Sequence, residues 1–302
     1  MTKNKKNKLQ RYIDSLHDIK DKTVIITGAN SGLGFEIAKI ALVKGARVVM
    51  ACRNAERAEK AKKLLIHETG SNNVTIELYD QANIASIHDF SKRIKKDYGN
   101  FYALVLNAGV FLPKEEVDEF HISTTYKTNF IGALTLLLDL QELITSSNSE
   151  RRIIIQGSLS SFFKKYKNKD RLIYGEEKLF NQYSLSKLCI SNLYTYFRDD
   201  NENPYVKYLL SEPGISTTNI FQNFKKWFKS FSYPFICLMG NKAEIGCLSA
   251  CKLLCDICAN GDYYHPRHFF HAKGYPIKDV FPKKFIFENI ITDGKKIIKT
   301  YE

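Results

Sequence analysis

The sequence predicts an α/β protein built on one doubly wound parallel sheet of about seven strands, with helices on both faces. Short β-branched runs alternate with longer segments of helical periodicity. The short runs are almost continuously apolar, which is typical of parallel strands buried on both faces. The chain has no internal repeat and no linker rich in proline and glycine. Residues 21–302 are therefore predicted to form a single domain, preceded by a polar extension over residues 1–20.

The predicted strands and helices follow one another regularly along the chain. The strand runs are TVIIT (23–27), ARVVMA (46–51), NVTIELY (73–79), FYALVL (101–106), RRIIIQ (151–156) and YVKYLL (205–210). Helical periodicity covers 32–44, 54–68, 84–97, 118–144 and 180–198. The segment 159–179 interrupts this periodicity, so it is predicted to be an excursion between the fifth strand and the helix that follows.

Composition and charge favour a globular protein with a solvated basic surface. The chain has 302 residues, of which 44% are hydrophobic, and carries a net charge of +13. The lysines are spread along the sequence and form no stripe with aromatic residues, which argues against nucleic-acid binding. No apolar run approaches the ~18 residues of a membrane span, and the start lacks a secretory signal. These features predict a cytoplasmic protein without a transmembrane segment.

Four cysteines recur at helical spacing near the C-terminal end, in GCLSACKLLCDICANG. Cys247, Cys251, Cys255 and Cys258 would share one helical face. No histidine or carboxylate lies at zinc-finger spacing from them, and cysteine is also a small residue that is readily buried. Packing in the core is the preferred interpretation, and no metal site is predicted.

The first strand runs directly into a glycine-rich turn, TGANSGLG, and then into a helix. Glycines at these positions permit a tight turn and let backbone N–H groups at a helix N-terminus approach a pyrophosphate. A second strand begins about 15 residues later. This context predicts a Rossmann-type dinucleotide site, with cofactor contacts from Gly28, Asn30, Ser31, Gly32, Leu33 and Gly34.

The residue after the second strand predicts the cofactor. Folds that prefer NAD usually present an acidic side chain at this point to the ribose 2′-hydroxyl, whereas an arginine accommodates the 2′-phosphate of NADP. Here the strand ends in MACRN, with Arg53 and no Asp or Glu. Arg57 lies one turn further on. The sequence therefore predicts that NADP(H) is preferred over NAD(H), unless both arginines are simply solvated residues at a helix start.

The pentapeptide YSLSK places Tyr183 and Lys187 four positions apart. In a helix both side chains would lie on one face, one turn apart. This spacing is found in ordinary amphipathic helices, and also where an ammonium group adjusts the pKa of a phenol.

Six separated motifs together resemble the short-chain dehydrogenase/reductase superfamily. They are TGANSGLG, the NAG of Asn107, Ala108 and Gly109, Asn129, Ser158 at the end of the fifth strand, YSLSK, and PGISTT at 213–218. MACRNAERAEKA, GDYYHP and GYP make the chain most similar to the retinol dehydrogenase branch and its bacterial relatives. One departure is Glu212 before the Pro-Gly pair, where this branch commonly has histidine.

The resemblance implies a catalytic set of Ser158, Tyr183, Lys187 and Asn129. Tyr183 would exchange a proton with the substrate oxygen, Lys187 would contact the nicotinamide ribose and lower the pKa of Tyr183, and Asn129 would hold a water. Ser158 would stabilise charge on the substrate oxygen, with Ser160 and Ser161 as alternatives. Further implied cofactor contacts come from Asn107, Ala108 and Gly109, from Tyr183 and Lys187 themselves, from Asp80 at the adenine, from Pro213 and Gly214, and from Thr218 at the carboxamide.

The predicted function is NADP(H)-dependent interconversion of a carbonyl and an alcohol by hydride transfer. The alternative is a sensor or scaffold that binds NADP(H) without turnover. Residues 214–240 are interpreted as a lid that presents an aromatic face to an apolar substrate, with a core helix or a peripheral membrane contact as alternatives. The sequence leaves the substrate and any homo-oligomer undetermined.

Overall fold

The computed structural model describes residues 3–111, 117–163, 166, 174, 178–217, 240–268 and 270–302. Within these ranges the main sheet contains eight strands in the order β3-β2-β1-β4-β5-β6-β9-β10. Their bounds are β1 Thr23–Thr27, β2 Arg47–Cys52, β3 Val74–Leu78, β4 Ala103–Leu106, β5 Arg151–Gln156, β6 Val206–Ser211, β9 Tyr263–His268 and β10 Lys273–Asp279. A separate pair joins β7 (Ser216–Thr217) to β8 (Asn241–Lys242). The doubly wound parallel sheet is confirmed.

The strands from β3 to β9 pair in parallel, and β9 and β10 form an antiparallel hairpin at one edge. The sequence analysis missed this hairpin. Pro266 and Pro276 each remove a backbone donor, Gly274 interrupts β10, and the register shifts between Lys273 and Pro276. Such residues mask the apolar pattern by which the other strands are recognised.

Helices cover both faces of the sheet. They are α1 Lys3–Ser15, α2 Gly32–Val43, α3 Ala55–Thr69, α4 Ile84–Asp97, α5 Thr124–Tyr126, α6 Gly132–Thr145, α7 Leu179–Asp199, α8 Ala243–Gly246, α9 Leu248–Cys255 and α10 Asn289–Ile298. A π-helical turn, Lys127–Ile131, joins α5 to α6. One apolar cluster lies between the sheet and α4, α6, α7 and α10. The other lies between the sheet and α2, α3 and α9.

The N-terminal segment forms a helix in the range for which the sequence predicts a polar extension. Leu16 and Ile19, which follow α1, are buried in the second apolar cluster. The ring of Tyr12 lies 5.1 Å from that of Tyr275, and Lys44 Nζ donates to the carbonyl of Leu16 at 2.6 Å. Apolar residues at positions 9, 12, 13, 16 and 19 are the signal for this packing.

The four cysteines near α9 are buried in the core, as the packing interpretation predicts. Cys247, Cys251, Cys255 and Cys258 all belong to the second apolar cluster.

Among the described residues no helix combines the length and apolar character that crossing a bilayer requires.

The strand order reverses direction between β1 and β4, which are hydrogen-bonded neighbours although β2 and β3 intervene in the chain. At such a switch point the connections leave on opposite faces and open a crevice beyond the carboxyl ends of the strands. The turn after β1 and the segment after β4 both lie here. The fold therefore brings together the two motifs on which the cofactor prediction rests.

Candidate active site

The glycine-rich turn after β1 is closely packed against the segment that follows β4. Gly28 and Gly32 have φ angles of 69° and 58°, in the left-handed region that favours glycine. A Cβ on Gly34 would lie 2.4 Å from the carbonyl oxygen of Gly28, and one on Gly28 would lie 3.0 Å from Ala108 Cα. Side chains at Gly28 and Gly34 would clash with the turn itself and with the segment after β4, so only glycine permits this close packing at the start of α2.

Asn107 and Thr27 hold this turn in place. The Asn107 side-chain amide donates to the carbonyl of Thr27 at 2.9 Å, while the Thr27 hydroxyl accepts from the backbone N–H groups of Asn107 and Ala108 at 3.0 and 2.9 Å. Thr27 is a structural residue that the sequence analysis did not single out. Its hydroxyl fixes the carboxyl end of β1 relative to the carboxyl end of β4.

Asn129 lies in the π-helical turn, a feature often found at functional sites. Its Oδ1 accepts from Val110 N at 2.7 Å, and its Nδ2 donates to Val110 O and to Ser186 Oγ, each at 3.0 Å. A Cβ on Gly109 would lie 3.1 Å from Asn129 Oδ1 and 3.8 Å from Lys187 Nζ. Asn129 therefore links the segment after β4 to α7 and lies close to Lys187.

Helix α7 carries Tyr183 and Lys187 on one face, as their spacing predicts. The Tyr183 hydroxyl is hydrogen-bonded to Ser158, which follows β5. Lys187 is 6% exposed, and its ammonium donates to the carbonyl of Gln156 at 3.2 Å. The structure thus brings Ser158, Tyr183 and Lys187 together around the carboxyl end of β5.

Ser158 rather than its neighbours contacts the tyrosine. Ser160 donates to Ser158 Oγ through both its backbone N–H, at 3.2 Å, and its hydroxyl, at 3.0 Å. Ser161 is fully buried. Ser160 therefore supports Ser158 through hydrogen bonds, and Ser161 is a core residue.

The pKa of Tyr183 is raised, whereas the sequence analysis expects Lys187 to lower it. Burial raises it from 10.0 to about 12, and the hydrogen bond from Ser158 offsets only part of this effect. Burial also lowers the pKa of Lys187 from 10.5 to about 8. Desolvation disfavours the charged form of each group, and it outweighs the attraction on which the expectation rested.

The predicted cofactor-selecting residues follow the neighbouring strands β2 and β3. Arg53 and Arg57 are exposed at the start of α3, where the side chain of Asn54 caps the helix by accepting from Arg57 N at 2.8 Å. Asp80 follows β3, and its Oδ1 accepts from Ala82 N at 3.0 Å. Both arginine side chains are exposed to solvent.

Pro213 and Gly214 follow β6 and pack against the turn between β9 and β10. Gly214 has a φ angle of 70°, and a Cβ there would lie 2.4 Å from the carbonyl oxygen of Ala272. The N–H of Ile215 donates to the same oxygen at 3.0 Å. Thr218 and most of the predicted lid, residues 218–239, lie outside the described residues.

Gln81 is a second positioning residue, and no motif of the sequence marks it. Its Nε2 donates to the carbonyls of Ala108 and Thr128 at 3.0 and 2.7 Å, which ties the segment after β4 to the π-helical turn. A Cβ on Gly132 would lie 2.0 Å from the carbonyl oxygen of Gln81. This packing fixes the start of α6 and, with it, the position of Asn129.

A family model described as short chain dehydrogenase matches residues 22–229 of the chain. The chain belongs to the short-chain dehydrogenase family. The match contains the glycine-rich turn and all four residues of the implied catalytic set.

Individual relatives support this assignment. A WW domain-containing oxidoreductase from Danio rerio is 32% identical over 152 residues, which are 50% of this chain and 37% of that protein. Retinol dehydrogenase 13 from Mus musculus is 36% identical over 144 residues, 47% of this chain and 42% of that protein. The chain thus matches less than half the length of each of these curated relatives. The relatives agree with the predicted retinol dehydrogenase-like branch.

A solved structure has the same fold over nearly the whole chain. An uncharacterised protein from Mycobacterium paratuberculosis superposes with a TM-score of 0.72, covers 95% of this chain and 97% of its own, and is 19% identical in sequence. At this identity the similarity concerns the fold alone.

Proposed function

We propose that this short-chain dehydrogenase is an NADP(H)-dependent oxidoreductase that interconverts a carbonyl and an alcohol. The observation that carries the proposal is the hydrogen bond between Tyr183 and Ser158, beside the buried ammonium of Lys187. A sensor that only binds the cofactor would have no need of a buried lysine and a paired tyrosine and serine. Retaining them is costly, because each charged form is desolvated.

The residues present fit a nicotinamide dinucleotide. Helix α2 begins at Gly32 with no side-chain hydrogen bond from its N-cap residue Ser31, so its first backbone N–H groups can bind a pyrophosphate. Lys187 has donors beyond the one that bonds Gln156. The pyrophosphate would be held by residues 28–34, the ribose by Lys187, and the 2′-phosphate by Arg53. A bound nicotinamide supplies the hydride donor or acceptor and, when oxidised, a positive charge.

Tyr183 serves as the proton donor in the reducing direction. The phenol is protonated at neutral pH, so a proton is available for the substrate oxygen as negative charge develops there. The Ser158 hydroxyl, already paired with Tyr183, stabilises the same oxygen. Asn129 bonds Val110 after β4 and Ser186 of α7, and thereby holds these two elements together.

Aromatic side chains near Tyr183 support an apolar substrate. The ring of Phe111 lies 4.6 Å from that of Tyr183. Phe163 and Phe180 are exposed, with their rings 6.3 Å apart, just after the Ser158 turn and just before Tyr183. Exposed aromatic groups clustered at the entrance to a site are typical of surfaces that bind apolar ligands.

The test is NADPH oxidation, followed by absorbance, with aldehydes and ketones from short and polar to long and apolar. Tyr183→Phe removes the transferable proton and keeps the ring, so turnover should fall by ~10² to 10⁴-fold while cofactor affinity is retained. The matched control is Tyr196→Phe, the same substitution at an exposed position of α7. Cofactor binding with no turnover of any carbonyl would favour the sensor instead. Turnover by Tyr183→Phe at the parent rate would remove Tyr183 from the mechanism.

A further inference from the structure

The loop of residues 213–215, here called the Pro-Gly loop, is anchored through its backbone. The N–H of Ile215 donates to Ala272 O at 3.0 Å, and the carbonyl oxygen of Ile215 accepts from the backbone N–H of Asn241 at 2.7 Å. Ala272 lies in the turn between β9 and β10, and Asn241 begins β8. Both hydrogen-bonding groups of Ile215 are therefore used by elements that are distant in sequence.

The side chain of Asn241 joins the Pro-Gly loop to β10. Its Oδ1 accepts from the backbone N–H of Gly274 at 3.0 Å, and its Nδ2 donates to the carbonyl oxygen of Pro213 at 3.4 Å. Asn241 is 2% exposed, so water does not compete for these bonds. A backbone N–H only donates and a carbonyl only accepts, and an asparagine amide offers one group of each kind. An aspartate could not make the second bond, and an apolar side chain could make neither.

A bulge in β10 turns Gly274 towards Asn241. The register of the hairpin shifts between Lys273 and Pro276, which places one extra residue in β10. Gly274 has a φ angle of 115°, and a Cβ there would lie 2.9 Å from His268 Cδ2, so this position requires glycine. Gly274 is the first residue of the GYP motif. The motif therefore supplies the donor that orients the amide of Asn241.

The bulge is supported from its other side by helix α1. The ring of Tyr275, which follows Gly274, lies 5.1 Å from the ring of Tyr12. Lys8 Nζ lies 4.9 Å from the centre of the same Tyr275 ring. A continuous series of contacts thus runs from α1 through the bulge and Asn241 to the Pro-Gly loop. Rigid support of this kind is what the precise placement of a reacting group requires.

The Pro-Gly loop lies beside the catalytic set. Gln156 of β5 pairs with Ser211 of β6, and Ser158 and Pro213 each follow this paired position by two residues. The two segments therefore leave neighbouring parallel strands at the same edge of the sheet. The reacting ring of a nicotinamide has to lie next to the substrate oxygen that Ser158 would stabilise, so the ring would meet the Pro-Gly loop.

We propose that Asn241 is a positioning residue for the nicotinamide end of the cofactor, acting through the Pro-Gly loop. The inference rests on the proposed function, because it concerns the placement of a bound dinucleotide. Hydride transfer depends closely on distance, and a misplacement of about 1 Å can lower a rate by roughly 10²-fold. Asn241 fixes the loop against the bulge of β10 without itself touching the cofactor.

Two ligands separate this role from a general contribution to stability. Asn241→Ala should lower the affinity for NADPH about tenfold, since two hydrogen bonds that hold the loop are lost. The affinity for adenosine 2′,5′-bisphosphate, which lacks the nicotinamide nucleotide, should be unchanged. With saturating NADPH, turnover of an accepted carbonyl should fall about 10- to 100-fold. Calorimetric titration of both ligands and the absorbance assay measure these effects.

The matched control is Asn260→Ala. Asn260 also ties two elements together, because it accepts from Tyr208 N at 2.9 Å and donates to Arg198 O at 3.3 Å, but it precedes the amino end of β9. This variant should keep both affinities and the turnover of the parent.

Equal losses of affinity for NADPH and for the bisphosphate, or equal effects of the two substitutions, would overturn the proposal and indicate a general loss of structure. Unchanged NADPH affinity and turnover in Asn241→Ala would remove the role of Asn241 and leave the proposed function intact. A parent that binds no NADPH would instead overturn both the proposed function and this inference.

Hydrogen exchange in the parent provides the test if Asn241→Ala does not fold. NADPH should slow exchange of the N–H groups of Ile215, Asn241 and Gly274, whereas the bisphosphate should leave all three unchanged. Gly274 is the decisive position because its N–H bonds Asn241 and not the cofactor. Exchange at Gly274 that NADPH does not alter would show that the bulge is not coupled to the nicotinamide end, and would overturn the proposal.

Discussion

Replacing Lys187 with methionine should make the protein more stable while removing its function. The pKa of this buried amine is lowered from 10.5 to about 8, so its charged form is held at a cost in the folded state. At about 1.4 kcal/mol for each pH unit between those values, the cost near pH 7 is roughly 3 kcal/mol. Methionine keeps the apolar stem but leaves the Gln156 carbonyl without its donor, a loss of about 1 kcal/mol. The net gain should be about 2 kcal/mol.

The gain should depend on pH in a defined direction. Below pH 8 Lys187 is protonated in both the folded and the unfolded chain, so the full cost is present. Between pH 8 and 10.5 the folded chain has released the proton and the unfolded chain still binds it, so the parent gains stability as the pH rises. The advantage of Lys187→Met should therefore be greatest at pH 7 and should shrink towards pH 10.5.

Urea unfolding at pH 7 and pH 9.5 measures both statements. Lys63→Met, at an exposed position of α3, is the control for a general effect of the substitution and should leave the free energy of unfolding unchanged. A Lys187→Met protein that is less stable than the parent at pH 7 would show that the ammonium stabilises the fold. An advantage that stays constant with pH would show that the gain comes from packing and not from charge.

Three further substitutions test the cofactor site and its support. Arg53→Ser should weaken NADPH binding on the order of ten- to a hundredfold in a fluorescence titration and leave NADH binding unchanged, because a charge-assisted bond contributes roughly 1.5 to 3 kcal/mol; equal losses for both cofactors would refute the assignment. Gly34→Ala places a Cβ 2.4 Å from Gly28 O and should abolish dinucleotide binding in the same titration, so parent-like affinity would contradict the packing described. Asn129→Ala removes the bonds to Val110 and should lower the free energy of unfolding by roughly 1 to 3 kcal/mol in urea, whereas an unchanged value would assign Asn129 no structural role.

The sheet could be predicted from the sequence because its central strands are buried on both faces. A strand such as Arg151–Gln156 is recognised by the unbroken apolar run of Ile153, Ile154 and Ile155. The hairpin β9–β10 lies at the edge of the sheet and tolerates proline and glycine, so its sequence lacks that run. The position of an edge strand is determined by the strand with which it pairs. A local sequence pattern contains no information on that partner.

The residues of the site also divide into those that a local pattern predicts and those that it does not. Gly28, Gly34, Tyr183 and Lys187 could be predicted because a tight turn and a helical spacing are local properties that the sequence states directly. Gln81 acts through carbonyl groups at positions 108 and 128, which the fold brings to it from two other elements. A glutamine in a loop carries no local signal of such a role. Its contribution becomes visible only when the packing of the β4 end against the π-helical turn is known.

The Tyr183–Lys187 pair shows why geometry and protonation have to be argued separately. Spacing alone places both side chains on one face of α7, but their pKa values depend on how much water the surrounding elements exclude. Burial shifts each group towards its neutral form, so that Tyr183 retains its proton more firmly and Lys187 less firmly than in water. A phenol that holds its proton at neutral pH can donate it to a developing alkoxide, whereas alcohol oxidation requires that proton to be removed first. The spacing of the two residues therefore predicts which side chains meet, whereas the exclusion of water around them decides how firmly each holds its proton.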